Sequence, residues 1–184
     1  MRRVVLTFGL LSGAVLSLML LITALFRTQI GFDKGAVIGY TTMVAAFLMV
    51  YFGIRSYRDN VLRGPIGFGK AFQVGLLITV IASACYVATW EFVFYKLTPD
   101  FADKYAAAQM EQARASGATA EQLATQAQQM AKFKEMYSNP IVNVALTFLE
   151  PLPVALVMTL VCAGILSRGR GGVGGQVVGE PTTS

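Results

Sequence analysis

The least expected residue of this chain is Glu150, a carboxylate inside the otherwise uncharged run from Ile141 to Leu166. A charged side chain at the centre of a bilayer costs about 2.5–3.5 kcal/mol on insertion scales. Pro151 and Pro153 follow it and remove two backbone donors, so the segment is kinked and tolerable only against protein or water. The pattern predicts either a proton or ligand site or an interfacial carboxylate that fixes the depth of the helix.

A second carboxylate, Glu91, follows Trp90 at the end of another apolar run, with Tyr95 and Lys96 close behind. This order is typical of the aromatic belt at a membrane interface. In a second interpretation Glu91 and Glu150 occupy the same half of a bundle, where two facing carboxyls would couple and hold a proton between them. The two residues form our candidate intramembrane polar site.

The stretch from Gly64 to Lys70 fits the G-x-x-x-x-G-K part of a phosphate-binding loop, but Ala71 follows where Ser or Thr must hold the metal. An apolar run rather than a strand precedes it, so we predict a turn at the membrane interface. The chain has no histidine, and its two cysteines lie inside apolar runs, which leaves no metal-ligand spacing and no nucleophile–base pair. We expect no catalytic residue, no metal, no cofactor and no enzymatic activity.

The composition indicates lipid as the solvent. Of the 184 residues 55% are hydrophobic and only 14% are charged, against about 25% in a typical soluble domain. The net charge of +5 arises from basic residues beside apolar runs, which favours anionic lipid headgroups over nucleic acid. A span needs about 20 apolar residues, and four runs qualify. We predict an all-α, four-helix membrane bundle with transmembrane helices at about 4–26, 35–54, 71–92 and 141–166.

The distribution of Lys and Arg predicts the orientation of these helices. Basic residues are densest at the N-terminus, between the second and third helices, and after the fourth, which predicts that both termini are cytoplasmic. Four of them are our candidates for contact with lipid headgroups: Arg55, Arg58, Arg63 and Lys70. The first apolar run is too long for the h-region of a signal peptide and lacks a cleavage site, so we interpret it as a membrane helix.

The segment between the third and fourth runs is too long for a plain loop and predicts a helical hairpin over about 99–138. Thr119 and Gln122 form a capping box for its second helix, and Asn139 before a proline either ends that helix or kinks it into the fourth apolar run. Phe101 and Tyr105 form one apolar stripe, and a second comprises Met130, Phe133 and Tyr137. The stripes either pack on each other or offer a docking face to a partner or to the membrane surface.

Small residues recur every fourth position in two stripes, which allows close helix approach. Packing within one bundle and a homodimer seam both fit this spacing. The stripes are Gly9, Gly13 and Ser17, and Gly31, Gly35 and Gly39. Residues 169–184 are Gly-rich and polar and are predicted to be a disordered tail.

Several stretches carry a family resemblance in both order and spacing. They are Ile-Gly-Tyr-Thr-Thr-Met (38–43), Phe-Gly-Ile-Arg-Ser-Tyr-Arg-Asp-Asn (52–60), Phe-Gly-Lys-Ala-Phe (68–72), Lys-Phe-Lys-Glu-Met-Tyr (132–137) and Thr-Phe-Leu-Glu-Pro (147–151). The chain up to about residue 168 resembles bacterial membrane proteins grouped as domain of unknown function 4199. The resemblance implies a bacterial inner membrane and supplies no activity, cofactor or catalytic residue.

Two functional hypotheses follow. The first is a non-enzymatic accessory or scaffold protein that binds a membrane or periplasmic protein through its helical hairpin. The second is a small transporter or proton-coupled carrier that uses Glu150 and Glu91. The expected partners are the lipid bilayer and such a protein, with no nucleic acid, and a homo-oligomer remains open.

The predicted topology is directly testable with reporter fusions. Fusions at residue 60 and at the C-terminus should report a cytoplasmic location, because the basic residues are densest there. A fusion at residue 117 should report the other side of the membrane. A cytoplasmic signal at residue 117 would contradict the four-helix arrangement.

Overall fold

The computed structural model describes residues 1–168, and every element within them is an α-helix or a π-helical extension of one. The predicted tail at 169–184 lies outside the described residues. The helices are α1 (Arg2–Leu25), α2 (Arg27–Ile30), α3 (Phe32–Ser56), α4 (Phe68–Phe92), α5 (Phe101–Ala115), α6 (Ala120–Ser138), α7 (Pro140–Leu149) and α8 (Leu152–Arg168). π-Helical turns extend α3 over Tyr57–Leu62 and α4 over Val93–Leu97.

Four helical stretches are long and apolar enough to cross a membrane: Arg2–Leu25, Lys34–Leu62, Phe68–Leu97 and Pro140–Arg168. The fold is therefore an all-α bundle of membrane-type helices. The second and third stretches outrun the predicted apolar runs, because π-helical turns carry the chain through polar residues beyond each run. Large apolar side chains cover the outside of the bundle, such as Val157, whose surface is 59% exposed, as a lipid-facing surface requires.

The hairpin helices α5 and α6 connect the third stretch to the fourth. We call the end of the bundle that bears them the hairpin end. Thr119 and Gln122 form the predicted capping box at the start of α6. Asn139 accepts hydrogen bonds from the first backbone N–H groups of α7, and Pro140 occupies the first turn, so the chain breaks where the sequence predicted. The N-terminus and Arg168 both lie at the opposite end.

The helix α4 is the centre of the bundle and contacts α1, α3, α7 and α8. In the most apolar part of the stretch that contains α4, half of the residues are buried. In the corresponding parts of the other three stretches, a third or fewer are buried. Its contact with α1 is close because glycines face it. A Cβ atom at Gly9 would lie 2.8 Å from the Cβ of Ile81, and one at Gly13 would lie 2.7 Å from the Cβ of Cys85.

Hydroxyl groups add specific contacts to this packing. Ser12 donates to the carbonyl of Ala46 at 2.9 Å, which joins α1 to α3. Thr89 donates to the Oγ of Ser17 at 2.8 Å, which joins α4 to α1. Cys85 and Cys162 are free thiols.

The glycine contact predicts a large effect of side-chain volume at one position. Gly13→Leu should destabilise the bundle by about 1–3 kcal/mol, because the new side chain would overlap the Cβ and Sγ atoms of Cys85 on α4. Melting of the detergent-solubilised protein measures this. Gly39→Leu is the matched control, since a Cβ there meets no described atom within 4 Å. Equal melting temperatures for the two variants would contradict the α1–α4 contact.

Candidate functional site

One face of α7 carries three polar side chains. Asn143, Thr147 and Glu150 are separated by four and then three residues, so they line up on one side of the helix. Asn143 and Thr147 are 0% and 2% exposed. The cap at Asn139 begins the helix directly after the hairpin, and α7 contacts α4. The buried part of this face, Asn143 and Thr147, therefore meets the central helix.

The central helix supplies the partner of Asn143. The indole Nε1 of Trp90 donates to Asn143 Oδ1 at 3.1 Å, and the hydroxyl of Thr147 donates to the same oxygen at 3.2 Å. The Asn143 amide donates in turn to the carbonyl of Tyr137 at the end of α6, at 3.4 Å. One buried amide thus ties α4, α7 and the hairpin together.

Glu150 has a different partner from the one that the sequence suggested. The phenol of Tyr86 donates to Glu150 Oε2 at 3.0 Å. Tyr86 itself is only 8% exposed, whereas Glu150 is exposed. The carboxyl lies at the junction of α7 and α8, where Pro151 and Pro153 leave the carbonyls one turn earlier without their usual donors.

The position of Glu150 along the bundle follows from its partner Tyr86 on α4. Tyr86 precedes Leu97 by 11 residues and follows Phe68 by 18, which at 1.5 Å per residue corresponds to about 16 Å and about 27 Å. Tyr86 therefore lies in the hairpin half of this helical stretch.

Glu91 stays apart from this site. One of its carboxyl oxygens is buried without a hydrogen-bond partner in the described part of the chain. Glu91 is not among the residues that line the cavity around Glu150. The hydrogen bond of Glu150 goes to Tyr86, so the paired-carboxyl arrangement has no contact to support it.

A cavity of about 330 Å³ extends between the hairpin base and Glu150. Its walls come from α1, the start of α3, α4, both hairpin helices and the α7–α8 junction. The lining residues are Leu20, Thr23, Ala24, Gly31, Gly35, Ala36, Tyr86, Trp90, Val93, Thr98, Phe101, Tyr105, Phe133, Tyr137 and Glu150. Glu150 is the only carboxylate among these described residues, and none of them is basic.

Aromatic rings form the hairpin side of this cavity. Tyr105 lies 5.3 Å from Phe133 between ring centroids, and Phe133 lies 4.4 Å from Tyr137, so the two apolar stripes of the hairpin pack on each other. Phe101 sits edge-on to Trp90 at 4.9 Å. Burial raises the pKa of Tyr137, and the Glu150 carboxylate raises it further, so this phenol stays protonated at neutral pH.

The two small-residue stripes lie in different surroundings. Gly9, Gly13 and Ser17 face α4 within one bundle, where Ser17 also accepts the Thr89 hydrogen bond. Gly31 and Gly35 line the cavity, and Gly39 has open space where a side chain would be. The second stripe therefore makes room for the cavity and does not bring two described helices into close contact.

The basic candidates lie at the end opposite the hairpin. Arg55 and Arg58 both pair with Asp59, at 3.5 Å and 2.8 Å. Arg63 adopts a left-handed backbone conformation that ends the π-helical turn. Lys70 donates to Gln73 at 3.1 Å in the first turns of α4. The glycine-rich stretch before Lys70 leads directly into α4.

Tyr86, Asn143 and Thr147 were not among the residues predicted from the sequence to form the site. The signal for the last two was present, because their spacing with Glu150 is that of one helix face. Tyr86 and Trp90 show the same signal, being four residues apart in an apolar run. Tyr86 can be identified as the partner only from the rotation of α4 relative to α7. That rotation cannot be predicted from the sequence of either helix alone.

The buried amide can be tested through the chain's one tryptophan, Trp90. Asn143→Leu should destabilise the protein by about 1–3 kcal/mol, because the indole N–H and the Thr147 hydroxyl lose their acceptor. The emission of Trp90 should also shift to shorter wavelength. Asn60→Leu at the opposite end is the control and should leave the emission unchanged. An unshifted spectrum in Asn143→Leu would contradict the Trp90–Asn143 hydrogen bond.

Comparison with known proteins identifies a family and no individual relative. Neither a curated protein nor a solved structure matches the chain significantly. A family model described as "Protein of unknown function (DUF4199)" matches residues 7–168, which include most of the first stretch, the other three and the hairpin. The chain is a member of the DUF4199 family.

Proposed function

We propose that this protein is a non-enzymatic membrane protein that binds a small amphipathic molecule in the cavity at its hairpin end. The observation that carries the proposal is the cavity of about 330 Å³ with apolar walls and one polar centre, the Glu150–Tyr86 pair. Small-molecule sites in proteins are typically clefts of about 300–1,000 Å³, mostly apolar, with a few polar groups in fixed positions. The cavity fits that description in size and in chemistry.

The state of Glu150 supports binding over a purely structural role. Asn143 and Thr147 are buried and satisfied within the protein, as structural polar residues in a membrane should be. Glu150 is exposed, lines the cavity and has one hydrogen bond, from Tyr86, in the described chain. A carboxylate in an apolar span is costly, and an intramembrane ionisable residue is a functional candidate by default.

We place the protein in a bacterial inner membrane with both termini in the cytoplasm. The dense Lys and Arg residues at the end opposite the hairpin support this orientation. The hairpin and the mouth of the cavity then face the periplasm. A ligand would reach Glu150 from that side or from the adjoining lipid leaflet.

The hairpin itself supports a second candidate function, that of an accessory or scaffold protein. Its aromatic stripes pack on each other and on the bundle, which removes them from a docking face. The exposed surface includes the charged residues Lys104, Glu111, Arg114 and Lys132. A partner of this hairpin would be recognised through those groups, and pull-down with and without residues 99–138 tests for one.

The binding proposal is testable with 4-bromobenzyl alcohol, a small aromatic alcohol whose bromine quenches tryptophan on contact. In lipid nanodiscs it should quench Trp90 saturably, above the linear quenching that arises from partition into lipid. Gly35→Leu should abolish the saturable part, because the new side chain would fill the cavity. Gly39→Leu, one turn along and outside the cavity lining, is the matched control and should retain it.

Two outcomes would contradict the proposal. One is purely linear quenching of the wild-type protein. The other is full saturable quenching in Gly35→Leu, which would place the quencher outside the cavity.

A further inference from the structure

The chemistry of the cavity also indicates which class of molecule it binds, on the assumption that the proposed function is right. Six aromatic residues line it: Tyr86, Trp90, Phe101, Tyr105, Phe133 and Tyr137. The faces of aromatic rings are electron-rich and attract cations held within about 6 Å, most strongly for tryptophan. Glu150 adds the one carboxylate of the described lining, and no described lining residue is basic.

On charge and coordination, this combination favours a cationic ligand over anions, hard metal ions and neutral molecules. An anionic ligand would meet Glu150 with no described basic side chain beside it. A hard metal ion such as Ca²⁺ needs six to eight oxygen ligands, and among the side chains that the structure describes no group of three or more acidic or cysteine residues could hold a metal. A neutral apolar molecule would leave the Glu150 carboxyl with Tyr86 as its one hydrogen-bond partner in the described chain.

We propose that the cavity binds an organic ammonium ion, an amine or quaternary ammonium group that carries an apolar substituent. The ammonium group would lie beside Glu150 and against the ring of Trp90. The substituent would lie between the hairpin aromatics, where Phe133 and Tyr137 are held together at 4.4 Å. Tyr86 would serve as a positioning residue, because its hydrogen bond at 3.0 Å fixes Glu150 Oε2.

Two isosteric probes separate charge from shape. Benzyltrimethylammonium carries a quaternary nitrogen where neopentylbenzene carries a carbon, so the two molecules have nearly the same size. Binding is measured by titration calorimetry and by Trp90 emission in phosphatidylcholine nanodiscs. Glu150→Gln should lower the affinity for benzyltrimethylammonium at least about tenfold. The affinity for neopentylbenzene should stay within about twofold of the wild-type value.

Two matched variants complete the design. Glu91→Gln removes a carboxylate from the same half of the bundle but outside the cavity lining, and should change both affinities less than threefold. Tyr86→Phe keeps the carboxylate, so it should retain most of the preference for benzyltrimethylammonium over neopentylbenzene. It also tests the proposal if Glu150→Gln fails to fold, because in this variant the cation should still bind at least tenfold more tightly than phenylmethanesulfonate, an anion of similar size.

The outcomes distinguish this inference from the function on which it depends. The assignment of an ammonium ligand would be overturned if Glu150→Gln lowered the affinities for both probes equally, or if it did not lower the affinity for the cation. The cavity would still be a binding site in either case. Tight binding of phenylmethanesulfonate in Tyr86→Phe would also overturn that assignment. If no probe binds the wild-type protein and 4-bromobenzyl alcohol quenches linearly, both proposals fail.

Discussion

Polar side chains within a membrane span are stabilised by partners inside the protein, because the hydrocarbon offers none. In this chain that constraint acts most strongly on α7. Its polar face is satisfied from α4 by Trp90 and Tyr86. The amide of Asn143 extends the same network to the end of the hairpin through the Tyr137 carbonyl. The position of the hairpin over the bundle and the walls of the cavity below it both depend on these hydrogen bonds.

The constraint also explains why α4 is central. It carries the partners for α7 on one side, and on another it receives the glycines of α1. The close approach of α1 excludes lipid from its contact with α4. The glycines at the start of α3 leave open space, which forms part of the cavity. The bundle is thus tight in its middle, where Gly13 meets Cys85, and open at the hairpin end. A cavity there costs little packing elsewhere.

Local features of the fold could be predicted from the sequence because each depends on neighbouring residues alone. The four apolar runs, the Thr119–Gln122 capping box and the break before Pro140 are of this kind. The partner of Glu150 is of another kind, because it depends on how α4 and α7 are rotated and shifted against each other. Glu91 was the natural choice from charge alone, yet Tyr86, five residues earlier, points at the carboxyl. The cavity requires four helices and the hairpin at once, so no segment of the sequence contains it.

The central claim is that Glu150 lies in a cavity reached from the hairpin end and not against lipid. Cysteine accessibility tests it most directly, in a chain whose native Cys85 and Cys162 are replaced by Ala. In nanodiscs a water-soluble methanethiosulfonate reagent should modify Glu150→Cys readily and leave Val157→Cys, on the lipid-facing surface of α8, unmodified. Equal modification of the two positions, or none at Glu150→Cys in a protein that melts normally, would contradict the account.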